Sequence, residues 1–169
     1  MATNDRQYCA HSPRGTQKEG EPLIDHANAV AAGTSKFAKE FGFEDLGEVA
    51  GLLHDIGKYQ SSFQDKIQGK NNHCEHSICG AKEALTLLNP GKTVTIDTLN
   101  GEILSYIIAG HHSGLPDCGT DADNEYMPTL KARLRRTVED YSAYENDIKI
   151  KNLTKNWAID FNTYDGVEM

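Results

Sequence analysis

The stretch GLLHDIGK, Gly51–Lys58, decides how this chain is read. Leu46, Val49, Ala50 and Leu53 lead into it at helical spacing, which predicts a helix from about Asp45 to Ile56 with one apolar face. Gly57 marks a break or a bend. His54 and Asp55 therefore stand together at the end of an apolar helix, and Lys58 follows His54 by one helical turn. An Asp has two oxygens and can bridge two cations about 3.5–4 Å apart. The His beside it, about 100° round the helix, can hold one of them.

Helical periods extend in both directions. Leu23, Ala27, Val30, Ala31, Phe37, Ala38 and Phe41 predict a helix from Leu23 to Phe41, ended by Gly42. His26 lies on its apolar face, three residues after Leu23 and four before Val30. Tyr59 to Ile67 is helical, with Phe63 and Ile67 four apart, and the segment from Gly69 to His73 is a polar loop. A helix from Glu75 to Leu88 places His76 on one stripe with Gly80, Ala84 and Leu87. Val94 to Leu99 is ambiguous. Gly101 to His112 is helical; His111 extends the row Ile103–Ile107 and His112 the row Leu104–Ile108, so both are expected to point toward the core. Ser113 to Glu125 is loop. Met127 to about Ile148 reads as one long polar helix with Leu130, Leu134, Val138 and Tyr141. Neither an internal repeat nor a convincing strand pair is seen. The expected class is all-α, a compact helical domain over residues 23–150. Residues 1–22 form a loop segment belonging to that domain, and residues 151–169 a tail without clear period.

Composition sets outer bounds. The chain has 169 residues, 38% hydrophobic and 25% charged, as expected of one soluble domain large enough for a real core. No apolar run is long enough to cross a bilayer. The start, MATNDRQYCAHSPRG, lacks the apolar stretch of a signal peptide. A cytoplasmic protein without a membrane partner is expected, with Cys9, Cys74, Cys79 and Cys118 as free thiols. A formal charge of −8 argues against gripping nucleic acid by bulk electrostatics, unless bound divalent metals or a partner supply the positive charge. Lys131, Arg133, Arg135 and Arg136, then Lys149, Lys151 and Lys155, read as a solvated helix face.

The histidines are the strongest chemical signal. His26, His54, His76, His111 and His112 all point inward, on four separate predicted helices. Burying that many imidazoles without partners would cost about 1–3 kcal/mol each. A shared metal site removes the difficulty, because neutral imidazole nitrogen is a common ligand. Imidazole-rich sites favour manganese, iron, cobalt, nickel or zinc over magnesium. A separate zinc site from His73, Cys74, His76 and Cys79 is disfavoured: the cysteine spacing lacks the tight knuckle of zinc fingers and no second pair exists. His73 itself reads as solvated loop. No Ser stands in a nucleophile-elbow context.

The order His26, His54-Asp55, His76, His111-His112 resembles the HD superfamily of metal-dependent phosphohydrolases. Ala10-His11-Ser12, GLLHDIGK followed by Phe63-Gln64, Glu75-His76-Ser77 with Gly80-Ala81, and GHHSGLPD (Gly110–Asp117) most resemble the N-terminal HD nuclease domain of the type I CRISPR-associated helicase-nuclease. The likeness runs from about Tyr8 to Tyr144. It implies an HD-type helical fold with a metal site between core helices, holding up to two ions. One would be held by His26, His54 and Asp55, the other by Asp55, His76, His111 and His112. Asp55 and Lys58 would be the catalytic residues, with Lys58 facing the phosphate. The resemblance further implies cleavage of single-stranded DNA in CRISPR interference, beside a helicase, fused or separate, and an effector complex. The family closes the first metal site with a downstream Asp that has no clear counterpart here. Asp160 and Asp165 lie in the aperiodic tail, so that site is expected to be short of a ligand. No helicase sequence accompanies the domain, so the chain is either a piece of a longer protein or a stand-alone form. Two other functions fit the same residues: an HD phosphohydrolase acting on a nucleotide or cyclic nucleotide, and a metal-binding docking domain whose catalysis has lapsed. Gly114-Leu115-Pro116-Asp117 is either a turn or a wall of the cleft, and His11 and Ser12 either pack locally or touch substrate.

Overall fold

Small residues set the first helix pair. The computed structural model of the chain describes residues 8–13, 15, 19–70, 74–88 and 96–150, residues 96–98 as backbone only. Helix α1 (Leu23–Lys39) buries Leu23, Ala27 and Ala31 against α2 (Glu44–Leu53). On α2, Gly47 and Gly51 are one turn apart and leave bare backbone. A Cβ on Gly51 would lie 2.4 Å from Ala31 Cα, and one on Gly47 would lie 2.5 Å from Thr34 O. Thr34 Oγ1 donates across this contact to Gly47 O at 2.6 Å.

A one-turn 3₁₀ helix, Ile56–Tyr59, and the short α3 (Ser61–Ile67) follow. The second pair is α4 (Ser77–Leu88) with α5 (Ile96–Gly110). The ambiguous segment is thus helical from Ile96 onward; Val94 and Thr95 lie outside the described residues. Two more glycines bring the pairs together. A Cβ on Gly80 would stand 2.0 Å from Leu53 O, and one on Gly57 would stand 2.1 Å from His76 O. The end of α2 and the start of α4 therefore touch backbone to backbone. Leu53, Ile56, Ile78, Leu104 and Ile108 fill the core around this junction.

The described regular structure is all helical, as expected, with one isolated antiparallel bridge between Cys9 and Pro22. That bridge, with Ala10 N to Glu21 O and Leu23 N to Tyr8 O, both 2.8 Å, folds the N-terminal segment back on itself. Gln64 clamps it from α3, accepting from Cys9 N and donating to Cys9 O, each at 3.1 Å. Among the described residues no helix is long and apolar enough to cross a membrane.

Three expectations need correction. The long helix over 127–148 is instead α6 (Leu130–Arg135), an irregular stretch, and α7 (Tyr144–Asp147). The chain leaves helical geometry at Arg136 (φ −62°, ψ 140°). Tertiary partners then take the place of intrahelical ones: Glu139 N donates to Gln60 Oε1 at 3.1 Å, and Ser62 N to Glu139 Oε2 at 3.0 Å. Second, Phe37 and Phe41 are exposed; at this end of α1 it is Thr34 and Ala38 that face α2, against Gly47. Third, α5 ends at Gly110, so His111 and His112 occupy the turn beyond it.

The glycine junction yields a contrast. Gly80→Ala should destabilise the fold by at least about 1–3 kcal/mol, since the added methyl meets a backbone oxygen that cannot rotate away. Phe37→Ser, on a 74% exposed side chain, should stay within about 0.5 kcal/mol of the parent. Urea unfolding midpoints measure both.

Candidate metal centre

Helix α2 stops at Leu53, and His54 is its last, C-capping residue. Asp55 then leaves the helix (φ −117°, ψ 12°), which turns its carboxylate inward, away from the spiral of α2. The 3₁₀ turn brings Lys58 back beneath it: Lys58 N donates to Asp55 O at 2.8 Å, and Nζ pairs with Asp55 Oδ2 at 2.7 Å. Both residues are 3% exposed. Lys58 Nζ also donates to Ala10 O at 3.2 Å and lies 5.4 Å from the centre of the Phe63 ring. Its charge is spent inside the protein, on Asp55.

Imidazoles surround the two carboxylate oxygens. On Oδ2, His54 Nε2 lies at 3.0 Å and His26 Nε2 at 3.2 Å. On Oδ1, His76 Nε2 lies at 3.4 Å and His111 Nε2 at 3.5 Å. His112 Nε2 meets His76 Nε2 at 2.8 Å. The ring backs are held as well. His54 Nδ1 is 2.7 Å from Gly51 O, His111 Nδ1 is 2.7 Å from Ile108 O, and His26 Nδ1 is 3.4 Å from Glu21 Oε2. A carbonyl or carboxylate accepts only from N–H, so each contact favours a proton on Nδ1, and it is the Nε2 atoms that face Asp55.

Burial alone would raise the Asp55 carboxyl. Polar contacts from His111, His54 and His76, with the charge of His54, outweigh it and hold the group well below the usual carboxylate range. Burial and the neighbouring His111 and His76 rings push the His112 imidazole down, toward its neutral, ligand-competent form.

The donor set fits a metal ion. Asp55 Oδ1 and His111 Nε2 are buried with no hydrogen-bond partner. Such orphaned groups are costly unless something satisfies them, and a cation between them would. His76 and His112 present two like nitrogens that can give both lone pairs to one ion. The ligand atoms fall into adjoining groups: Asp55, His76, His111 and His112 in one, His26, His54 and Asp55 in another. The six residues expected to form the centre thus converge on it. Among the described residues the second group has three members, and Asp160 and Asp165 lie outside those residues.

The pattern of the sequence missed three residues. Glu21 stands behind His26, and with His11 forms a further carboxylate–imidazole group at the rim. Arg133 is buried, not part of a solvated face: its Nε donates to Glu75 Oε1 at 2.7 Å, Nη1 to Ala109 O at 2.9 Å and Nη2 to Ser77 Oγ at 2.9 Å. Glu75 and Ser77 flank His76, and Ala109 lies two residues before His111. One guanidinium therefore joins the two segments that carry the Oδ1 side of the centre. Arg136 Nη1 completes the cluster on Glu75 Oε2. Burial raises the Glu75 carboxyl, but Arg136 and Arg133 outweigh it and hold it below the ordinary range. An arginine in a basic run gives no sequence sign of inward orientation; only the neighbouring Glu75-His76 could have hinted at a partner. The cysteines take no part. Burial pushes the Cys79 thiol up to about 12, and Gln60 Nε2 donates to its sulfur at 3.4 Å. His73 lies outside the described residues.

The family model for the HD domain matches residues 23–150. No curated protein matches the chain.

Two outcomes are expected. Arg133→Met should destabilise the protein by about 3 kcal/mol in urea unfolding, because it strands Glu75 Oε1, Ser77 Oγ and the Ala109 carbonyl and leaves Glu75 to Arg136 alone. Since Glu75 is depressed in the folded state, the stability it contributes is present above its ordinary pKa and lost as pH falls through the folded value; the variant should lose part of that acid sensitivity. Calorimetric titration with manganese or nickel should give one tight site and one weaker site, matching four ligands against three. Two equally tight sites would mean that a further ligand completes the smaller group.

Proposed function

The chain belongs to the HD domain family, and on that footing we propose that it is a nuclease that cuts single-stranded DNA in CRISPR interference, working beside a helicase, fused or separate, and an effector complex. Family membership implies metal-dependent phosphohydrolase activity, and the His/Asp cluster could hold the metal. The observation that carries the finer reading is Asp55: a carboxylate 3% exposed, its two oxygens each facing imidazoles, with the GHHSGLPD string supplying His111 and His112.

Asp55, His76, His111 and His112 would hold one divalent transition ion, and His26, His54 and Asp55 a second. Such an ion would supply Lewis-acid polarisation of a phosphate and activation of water at neutral pH. The protein's own residues prepare for this. Lys58 balances the buried carboxylate and fixes its direction. Gly51 O, Ile108 O and Glu21 hold the ring backs, so the ligand nitrogens need no reorganisation. No side-chain nucleophile is needed, and the raised Cys79 thiol does not offer one.

The floor of the site is buried while His112 is exposed, so substrate approaches from the His112 side. A flexible single strand can bend its phosphate into such a recess. Duplex DNA is stiff over about 150 base pairs and holds its backbone on a wide cylinder. The charge of −8 favours a second reading, hydrolysis of a free nucleotide or cyclic nucleotide, which needs no long-range attraction to a polyanion.

Circular single-stranded DNA, blunt duplex and a nucleotide panel, each with manganese or nickel, separate these readings. Cleavage of the circle is expected. Efficient cutting of duplex without a helicase, or turnover of nucleotides alone, would count against the nuclease; a protein that binds metal and hydrolyses nothing would be a docking domain. Asp55→Asn should reduce hydrolysis to background and weaken metal binding while far-UV circular dichroism stays helical. Asp55→Ala/Lys58→Met provides the control in which no buried ammonium is left uncompensated.

A further inference from the structure

The loop after the paired histidines leaves through Ser113–Asp117 and returns through Tyr126–Thr129 into α6. These two limbs line a cleft of about 470 Å³, a volume typical of small-molecule sites. Ser113 directly follows His112, and Arg133, which holds Ala109 O, forms part of the wall. The cleft therefore adjoins the segment that carries His112 and shares Arg133 with the braces of the Oδ1 side.

Its apolar side chains are turned outward: Leu115 is 73% exposed and Tyr126 85%. They are not on a loose loop. Leu130 N donates to Asp117 O at 2.8 Å and Lys131 N to Cys118 O at 3.0 Å. Arg136 donates to Glu125 O at 2.7 Å and to Met127 O at 2.9 Å, on either side of Tyr126. The hydroxyls of Thr129 and Thr120 close on Asp123 at 2.6 Å and 2.7 Å. A pinned loop that presents an aromatic and an aliphatic side chain to water, next to a reaction centre, is prearranged for a ligand. Arg133 and Arg136 set against Glu75 and Asp117 leave the surroundings near neutral, which suits a base better than a phosphate.

We propose that this cleft is a nucleoside subsite, taking the base next to the scissile phosphate, with Tyr126 as the stacking face and Leu115 against it. The proposal rests on the phosphodiesterase reading above and names where the strand is gripped. Stacking accepts any base, so it supplies affinity without sequence preference, and it compensates for a net charge of −8.

The test measures binding and turnover separately. Fluorescein-labelled oligothymidylate gives affinity by anisotropy; single-stranded DNA and bis(p-nitrophenyl) phosphate, a diester without a base, give turnover with manganese. Tyr126→Ala should weaken oligonucleotide binding roughly ten-fold or more and raise KM for the strand alike, the loss one stacked base accounts for. The loss on the small diester should be at least about ten-fold smaller, and Tyr126→Phe should restore the strand. Tyr126→Ala with the parent's oligonucleotide affinity and KM overturns the subsite. A parent that binds the strand through Tyr126 yet hydrolyses neither substrate keeps the subsite and sinks the phosphodiesterase reading. A parent that hydrolyses the small diester but neither binds nor cuts the strand does the reverse.

Discussion

A carboxylate with almost no contact with water organises this molecule. Asp55 sits at the bottom of the site, and a buried charge of this kind persists only where other groups answer it. Lys58 answers the charge directly at 2.7 Å, and the imidazoles of His26, His54, His76 and His111 face the two oxygens. Each imidazole comes from a different part of the chain, apart from His54 beside it. The requirement to bring these groups onto one side chain therefore constrains the helix pairs, the connecting turn and the N-terminal segment together.

Backbone contact meets that constraint. Gly47 and Gly51 let α1 settle onto α2 and carry His26 inward, while Gly57 and Gly80 let the start of α4 touch the turn after α2 and carry His76 inward. His111 and His112 arrive from the turn after α5, a less regular position, and Arg133 secures it by bonding Ala109 on that side and Glu75 and Ser77 on the other. The guanidinium fork suits this task, since it reaches three acceptors in one plane. Close packing and one buried polar cluster thus divide the work of positioning.

The rim is built from loops, and each is anchored. The N-terminal segment is clamped by Gln64 and supplies Ala10 O to Lys58 and Glu21 to His26. The loop from Ser113 to Thr129 is pinned by Arg136 and by its own hydroxyl–carboxylate bonds. Loops anchored in this way hold the side chains at the rim in fixed directions around the buried Asp55.

Much of this was legible from the residues alone. The 3.6-residue period located α1 to α5 to within a few residues, because burial of one face repeats with the helix turn. The histidines and Asp55 stood out because imidazole at apolar positions is costly without a common partner. Period failed where tertiary bonds replaced helical ones. Past Arg136, Gln60 and Ser62 take up the chain's polar groups, so a polar run that reads as one helix is broken. Phe37 and Phe41 match an apolar face, but Thr34 and Ala38 are the residues that face α2 there. The same limit hid Glu21, Arg133 and Tyr126. A carboxylate, an arginine and a tyrosine in polar stretches look like surface in one dimension, and only the folded chain decides which meets a histidine, which bridges two ligand segments and which is held out over a cleft. The sequence by itself determined the class of fold and singled out the histidines and Asp55 that the fold brings together, through periodicity and the chemistry of imidazole. The tertiary structure alone decided orientation, because that depends on partners distant in the chain.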